Sequence, residues 1–176
     1  DDYRVINGQG TVGYEMVIQC NELKVTPDLA LCCCGGGGLI AGVSTALLSE
    51  YPDMPIYSVE PNDFNDTKLS LEKKEIVEID ITKKSICDAL LAPKPGELTF
   101  SINKNNLSGG LQVSDDEVMY AMKLAFKYFR IVLEPGGAVA LAAALFKKVD
   151  IKNKNVLIVA SGGNVDKEVF QKSISI

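Results

Sequence analysis

Short apolar runs alternate with longer amphipathic stretches along this chain. Three apolar runs have the length of β-strands and lie at 29–34, 56–59 and 156–160. The segment 39–49, between the first two runs, has the length and apolar content of a helix, and Tyr51–Pro52 is expected to end it. The order strand, glycine loop, helix, strand predicts a βαβ unit, in which two parallel strands are joined by a right-handed crossover.

Helical periodicity predicts further elements before and after this unit. A helix from about Val12 to Asn21 is expected to follow a turn at Gly8–Thr11. Ser114 and Glu117 form a capping box, which predicts that an amphipathic helix of about 15 residues begins there. The apolar positions of that helix are expected to face the core: Val118, Met119, Met122, Ala125, Phe126 and Phe129.

The remaining signals divide the second half of the chain. Clusters of Gly, Pro and Asn predict loops at 93–96, 103–106 and 109–110. An alanine-rich helix from Ala138 to about Phe146 is expected after a break at 134–137. Together these elements predict an α/β fold, a three-layer, mainly parallel twisted sheet flanked by helices. The length of 176 residues suits a single domain, 1–176, with a core of its own.

The composition excludes several classes of partner and several kinds of chemistry. The net charge is −5 and Lys and Arg form no dense cluster, so nucleic acid and anionic membranes are poor candidate partners. No apolar run approaches the roughly 18 residues of a membrane span. The chain contains no histidine. This absence excludes histidine-based triads, imidazole acid–base catalysis and histidine zinc ligands within these residues.

The cysteines are expected to be buried side chains of a cytoplasmic protein. Three of the five are consecutive, and none has the C-x-x-C spacing of a metal or redox site. Because side chains alternate along a strand, Cys32 and Cys34 should share one face of the sheet while Cys33 lies on the other. The five are Cys20, Cys32, Cys33, Cys34 and Cys87.

The glycine run 35–38 is the strongest functional signal. It joins an apolar strand to a helix, so its bare N–H groups lie at the positive end of the helix dipole, where anions bind. A phosphate site is therefore predicted. Gly36-x-Gly38-x-x-Ala41, followed by Glu60, also fits a dinucleotide site, in which the acid binds a ribose. A third interpretation is a tight strand-to-helix turn with no ligand.

Two further loops are expected near the glycine run. Ser161–Asn164 follows the last predicted strand, and Glu134–Gly137 joins two predicted helices. Ligands of parallel sheets bind beyond the carboxyl ends of the strands. If the sheet brings the three loops together, a phosphate nest, a hydroxyl and a carboxylate can surround one small ring.

Seven short segments, in this order, resemble one known family. They are GQGT at 8–11, GGGGL at 35–39, VEP at 59–61, PGELTF at 95–100, VSDDE at 113–117, LEPGGA at 133–138 and SGGNVD at 161–166. With them, nearly the whole chain resembles the C-terminal part of the fold-type II pyridoxal-phosphate enzymes. The resemblance is to the threonine/serine dehydratase and serine racemase group.

The resemblance implies a cofactor site for pyridoxal 5′-phosphate. By it, Ser161 would place its hydroxyl on the pyridine nitrogen, and Glu134 would lie near the ring and the substrate. A neutral hydroxyl leaves the ring less electron-withdrawing than a carboxylate partner would, which suits prompt β-elimination. The residues whose backbone amides would hold the phosphate are Gly35, Gly36, Gly37, Gly38 and Leu39.

A divalent cation site is also implied by the resemblance. Carried over to this sequence, it gives Glu60 and Asp66 as carboxylate ligands and the carbonyl of Phe64 between them, with Asp63 as a further nearby carboxylate. Oxygen ligands of this kind suit magnesium, calcium or manganese rather than zinc.

The resemblance also implies what the chain lacks. The Schiff-base lysine and the loop that grips the substrate carboxylate lie upstream in the family, and neither motif occurs here. Residues 1–176 are therefore expected to be the cofactor-binding large domain, without the N-terminal segment and the small catalytic domain, and inactive alone. The chain itself then supplies no catalytic residue.

The expected activity of the intact protein is dehydration and deamination of a β-hydroxy amino acid. L-Threonine, converted to 2-oxobutanoate and ammonia, is the expected substrate. Serine racemisation or dehydration and 3-hydroxyaspartate dehydration are the alternatives. A non-catalytic module that binds phosphate or a dinucleotide is an alternative of a different class. The intact enzyme is expected to be a homo-oligomer, a dimer or tetramer, acting on a small amino acid.

Overall fold

A four-stranded parallel sheet forms the centre of the fold in a computed structural model, which describes all residues, 1–176. The order of the strands is β3-β2-β1-β4, and every neighbouring pair is parallel. Cys32 of β1 lies opposite Ser58 of β2, and Leu31 lies opposite Ile158 of β4. The strands are β1 (Leu29–Cys33), β2 (Ile56–Pro61), β3 (Gly109–Val113) and β4 (Val156–Ile158).

Seven α-helices surround the sheet. A 3₁₀ turn lies at Asp88–Leu90, and a π-helical turn at Ala125–Phe129 extends the fifth helix. None of the helices combines the length and the apolar character needed to cross a membrane. The helices are α1 (Tyr3–Leu23), α2 (Gly38–Glu50), α3 (Asp66–Lys73), α4 (Glu97–Asn106), α5 (Asp115–Leu124), α6 (Pro135–Leu145) and α7 (Lys167–Ser175).

The sheet separates two apolar cores, which confirms the predicted three-layer α/β fold. On one face, Leu29, Leu31 and Cys33 of β1 lie in an apolar cluster with α6, and α5 packs against α6. On the other face, Cys32 and Cys34 pack with residues of α2, which α1 covers. The alternation predicted for the cysteine run is therefore correct. Burial of β1 on both faces is typical of a parallel sheet covered by helices.

The predicted turn at Gly8–Thr11 is wrong, because these residues lie inside α1. Two other glycines, one in each helix, allow close packing between α1 and α2. A Cβ on Gly13 would lie 2.6 Å from the carbonyl oxygen of Val43, and a Cβ on Gly42 would collide with the carbonyl oxygen of Ile6. Tertiary packing has thus overridden the low helix propensity of glycine.

The loops predicted at 103–106 and 109–110 are also wrong. The first belongs to α4 and the second opens β3. Gly110 lies in the strand because a Cβ there would be 2.6 Å from the Cα of Lys68, at the packing contact with α3. Glycine inside a strand marks such a close approach.

The capping box that opens α5 is confirmed. The N–H of Glu117 donates to Ser114 Oγ at 3.2 Å, and the N–H of Ser114 donates to Glu117 Oε2 at 2.8 Å. The core positions predicted for Phe126 and Phe129 are wrong, since these rings are 37% and 64% exposed. Both lie in the π-helical turn, which breaks the helical periodicity, and Phe126 packs edge-on against Phe170 of α7.

Candidate functional site

The glycine loop between β1 and α2 presents unpaired backbone donors. The N–H groups of Gly35, Gly36 and Gly37 donate no hydrogen bond within the chain. Gly37 has a φ of +90°, and a Cβ on it would lie 2.8 Å from Nδ2 of Asn103, so glycine is required there. A Cβ on Gly36, in contrast, would meet no atom within 4 Å. A side chain at Gly36 would therefore collide with no atom of the chain. The free space beside Gly36 can accommodate a bound group.

Helix α4 holds the glycine loop from behind. Thr99 Oγ1 donates to the carbonyl oxygen of Gly36 at 2.7 Å, and Asn103 Nδ2 donates to that of Gly37 at 3.2 Å. Both side chains belong to buried residues. In a planar trans peptide the N–H points opposite to the carbonyl. Anchoring these two carbonyls to α4 therefore aims the N–H groups of Gly37 and Gly38 away from α4.

A pocket of about 240 Å³ lies in front of these donors. It forms beyond the carboxyl end of β1, where ligands bind in parallel α/β sheets. The three segments predicted to converge do meet here, but the predicted loop at 134–137 is wrong, because residues 135–137 form the first turn of α6, with proline at its first position. Besides Gly35–Gly38, the lining includes Cys33, Leu39, Leu90, Glu134, Gly136 and Ser161.

Ser161 and Glu134 face the glycine loop across this pocket. Ser161 is exposed, and its Oγ lies 3.3 Å from the Sγ of Cys33. Glu134 stands at the N-cap of α6, and its N–H donates to the carbonyl oxygen of Gly162 at 2.9 Å. Its Oε2 accepts a hydrogen bond from the N–H of Asn164 at 3.0 Å. The carboxylate is thus fixed to the loop that carries Ser161.

Sequence reasoning missed three contributors to this site. Thr99 lies in a segment that carried the family resemblance, but no role was assigned to it. The polar neighbours of Asn103 predict a loop, yet Asn103 is buried and bonds to Gly37. Cys33 was interpreted only as a core residue, although its sulfur also contacts Ser161. No sequence signal links these residues to the loop, because the contacts with Thr99 and Asn103 join positions more than 60 apart.

Glu60 lies outside the pocket and caps α3. Its Oε1 accepts from the N–H of Thr67 and its Oε2 from the N–H of Lys68, each at 2.8 Å. Burial and the nearby charge of Asp66 raise the pKa of Glu60 to about 8. Glu60 does not line the glycine pocket. This placement counts against a dinucleotide site in which Glu60 would bind a ribose.

The structure does not show the metal centre predicted around Glu60. The chain contains no cluster of three or more His, Cys, Asp or Glu side chains suited to a metal. Asp63 is instead engaged by Lys83, whose Nζ lies 2.6 Å from its Oδ1. Asp66 is buried, both of its carboxylate oxygens lack a partner, and burial raises its pKa to about 7. Of the groups predicted to surround a cation together with Glu60, the carboxylate of Asp66 and the backbone of Phe64 are therefore the ones that remain as candidates.

The fold and the pocket define a class, a parallel α/β domain with a pocket that unpaired backbone amides line at a helix N-terminus. The family of pyridoxal-phosphate dependent enzymes, to which the chain belongs, has a model that matches residues 1–162. The resemblance inferred from the seven segments is thereby confirmed. The unpaired amides and the space beside Gly36 fit the phosphate of that cofactor, and the Ser161 hydroxyl fits a ring nitrogen.

Three relatives are similar to most of the chain. A serine racemase of Schizosaccharomyces pombe is 38% identical over 99% of this chain and 53% of its own length. An L-threo-3-hydroxyaspartate ammonia-lyase of Saccharomyces cerevisiae is 37% identical over 97% of this chain and 51% of its own. The processed form of threonine deaminase isoform 2 from Solanum lycopersicum has a TM-score of 0.86 and 34% identity, covering 99% of this chain and 50% of that structure. The chain spans about half the length of the curated relatives it matches.

Proposed function

We propose that the intact protein is a pyridoxal-phosphate dependent lyase that converts L-threonine to 2-oxobutanoate and ammonia. The observation that carries this proposal is the convergence of the glycine amides, Glu134 and Ser161 on one pocket. The relatives' names support a β-hydroxy amino acid as substrate. Serine, through racemisation or dehydration, and 3-hydroxyaspartate remain the alternative substrates.

The glycine loop would hold the cofactor phosphate. The amides of Gly35–Gly38 and Leu39 lie at the N-terminus of α2, where the helix dipole places about half a positive charge. The bonds from Thr99 and Asn103 keep the loop in this conformation before any ligand arrives. A preorganised donor set binds an anion without a reorganisation penalty on binding.

Ser161 and Glu134 would orient the ring and manage protons beside it. When bound, pyridoxal phosphate supplies an electron-withdrawing ring that weakens the bonds at the Cα of an amino acid. The Ser161 hydroxyl would donate one hydrogen bond to the ring nitrogen, and because it carries no charge it would not stabilise a protonated nitrogen as a carboxylate would. Glu134, fixed by the N–H of Asn164, presents a carboxylate that can accept a proton within the pocket.

The lysine that bonds to the cofactor is proposed to lie outside this chain. No lysine lines the pocket. Residues 1–176 are therefore proposed to be inactive alone, as a large cofactor-binding domain. Borohydride reduction of a mixture of these residues with pyridoxal phosphate tests this point. A stable adduct mapped by mass spectrometry to a lysine of the chain would overturn it.

Turnover by the full-length protein tests the proposed reaction. The protein is incubated separately with L-threonine, L-serine and L-threo-3-hydroxyaspartate, and 2-oxo acid formation is followed with and without added pyridoxal phosphate. We expect the highest kcat/KM with L-threonine, and we expect 2-oxo acid formation to require pyridoxal phosphate. A higher kcat/KM with L-serine or L-threo-3-hydroxyaspartate would make that amino acid, and not threonine, the substrate. Binding of NAD⁺ in preference to pyridoxal phosphate, without turnover, would favour the non-catalytic module.

We also propose that Glu60, Asp66 and the Phe64 carbonyl hold a divalent cation such as Mg²⁺, Mn²⁺ or Ca²⁺. The supporting observation is that both oxygens of buried Asp66 lack a partner beside a second buried carboxylate. Such a pair is unfavourable unless a cation or a proton compensates it. Thermal unfolding of EDTA-treated protein with and without each cation tests this. Stabilisation in the wild type that Asp66→Asn abolishes supports the site, and equal curves with and without cation would contradict it.

We propose, further, a cytoplasmic homo-oligomer, a dimer or tetramer. All five cysteines are free and buried, as suits a reducing compartment. Light scattering of the full-length protein measures its assembly, and a monomer would contradict the proposal.

A further inference from the structure

Cys33 is the thiol that contacts Ser161. It ends β1, is 4% exposed and lines the pocket. Its Sγ lies 3.3 Å from Ser161 Oγ, within the range of a hydrogen bond to sulfur. The sulfurs on either side make other contacts, Cys32 with the carbonyl oxygen of Cys33 and Cys34 with Thr67 Oγ1.

The hydroxyl of Ser161 has one proton to give and two lone pairs. Cys33 is its one hydrogen-bond partner within the chain. If Ser161 donates to Sγ, its proton is used and none is left for a ligand in the pocket. If Cys33 donates instead, its S–H occupies one lone pair of Oγ and the hydroxyl proton stays free to point into the pocket.

We propose that Cys33 is a positioning residue, which donates its S–H to Ser161 Oγ and thereby keeps the serine proton directed at the ring nitrogen of the cofactor. This inference rests on the proposed pyridoxal-phosphate function. It assigns to a residue of the apolar run a part in the cofactor site that a valine of similar shape would not fulfil. Cys33 acts through Ser161 and does not itself bond to the ring.

The neighbouring Cys32 and, to a smaller extent, a hydrogen bond that the thiolate form accepts from Ser161 lower the pKa of the Cys33 thiol to about 7, although burial opposes this. Below this pKa the thiol keeps its proton and can donate it to Ser161. Measurements at pH 6 therefore examine the protonated thiol. Because Cys32 lowers the pKa of the Cys33 thiol, replacing Cys32 would raise it. The Cys33 thiol of a Cys32 variant is therefore also protonated at pH 6.

The test uses full-length protein with ring-¹⁵N-labelled pyridoxamine 5′-phosphate, which has no aldehyde and so binds without forming a bond to lysine. NMR records the ring ¹⁵N resonance, and equilibrium dialysis gives the Kd. Cys33→Val is expected to move the resonance toward that of a pyridine nitrogen without a hydrogen bond and to raise the Kd about 2- to 10-fold. Cys33→Ser restores a donor and should return both values toward wild type.

Two further variants separate the proposal from general effects on the fold. Cys32→Val changes the neighbouring thiol on the opposite face and should leave the resonance unchanged. Cys33→Ala removes the donor with a smaller side chain and should reproduce the shift of Cys33→Val. A wild-type resonance in both Cys33→Val and Cys33→Ala would overturn the positioning role alone. Failure of the wild type to bind the probe would overturn the proposed function and this inference together.

Discussion

Replacing Gly36 with alanine is expected to weaken cofactor binding while leaving the fold intact. An alanine Cβ at this position meets no atom of the chain within 4 Å, and Gly36 is not among the residues with positive φ. The backbone therefore accepts alanine without strain. Substitution of glycine at such a position commonly stabilises a protein by about 0.4–1 kcal/mol, because the unfolded chain loses conformational freedom.

The effect on binding follows from where the new methyl group lies. Gly36 lines the pocket of about 240 Å³, so we expect the added methyl group to take up part of the space beside the unpaired amides. We expect at least one hydrogen bond from the loop to the phosphate to be lost. A hydrogen bond to a charged group contributes about 1.5–3 kcal/mol, which corresponds to an increase of about 10- to 150-fold in Kd.

Two measurements on each variant check this prediction. Equilibrium dialysis gives the Kd for pyridoxamine 5′-phosphate, and thermal unfolding without ligand gives the stability. Gly8→Ala is the matched control, since its Cβ also meets no atom within 4 Å but lies in α1 outside the pocket. It should stabilise the fold by up to about 1 kcal/mol without changing Kd. Gly37→Ala should impair both properties, because φ is +90° and Asn103 occupies the space. A wild-type Kd for Gly36→Ala would refute the assignment of the phosphate to this loop.

Three further predictions concern the pocket and the helix that borders it. Ser161→Ala should raise the Kd of the cofactor about 2- to 10-fold, and a larger rise for Cys32→Ala measured in parallel would contradict the role of the hydroxyl. Asn103→Leu removes the bond to the Gly37 carbonyl and should weaken phosphate binding several-fold in a dialysis experiment with inorganic phosphate, whereas the exposed Asn105→Leu should not. Glu117→Gln should lower the free energy of unfolding by up to about 1 kcal/mol at pH 7 in urea titrations, because it removes the 2.7 Å ion pair with Lys148, while the amide oxygen of glutamine can still accept from the N–H of Ser114.

The Glu117 effect should depend on pH with a defined sign. Although burial opposes ionisation, the hydrogen bonds with Lys148 and Ser114 lower the pKa of Glu117 below its usual 4.5. Because the pKa is lower in the folded state, the carboxylate stabilises the fold above its unfolded pKa, and this contribution is lost as the pH falls through the folded pKa. The difference between wild type and Glu117→Gln should therefore shrink in acid. A difference that stays constant down to pH 3 would contradict this explanation.

Local sequence signals predicted the part of the fold that carries the phosphate loop. β1, α2 and β2 follow one another without insertion, and each is marked by its own apolar pattern and turn residues. The capping box of α5 is equally local, since its two hydrogen bonds join residues three positions apart.

Contacts between distant segments explain where prediction from sequence failed. Gly8 and Gly10 resemble a turn in the sequence, but both lie in α1, which packs against the backbone of α2 at Gly10 and Gly13. Gly109–Gly110 looks like a turn until α3 packs on β3. Asn103 belongs to the site because it bonds to a residue 66 positions away, and no local pattern records that pairing. Glycine and asparagine residues that serve tertiary contacts therefore resemble loop residues when only the local sequence is considered.

A crystal structure of the full-length protein with pyridoxal phosphate tests the central claim most directly. The account predicts phosphate oxygens within hydrogen-bond distance of the amides of Gly36 and Gly37, and the ring nitrogen within hydrogen-bond distance of Ser161 Oγ. A phosphate bound away from the glycine loop, or a ring nitrogen held by a group other than Ser161, would contradict it.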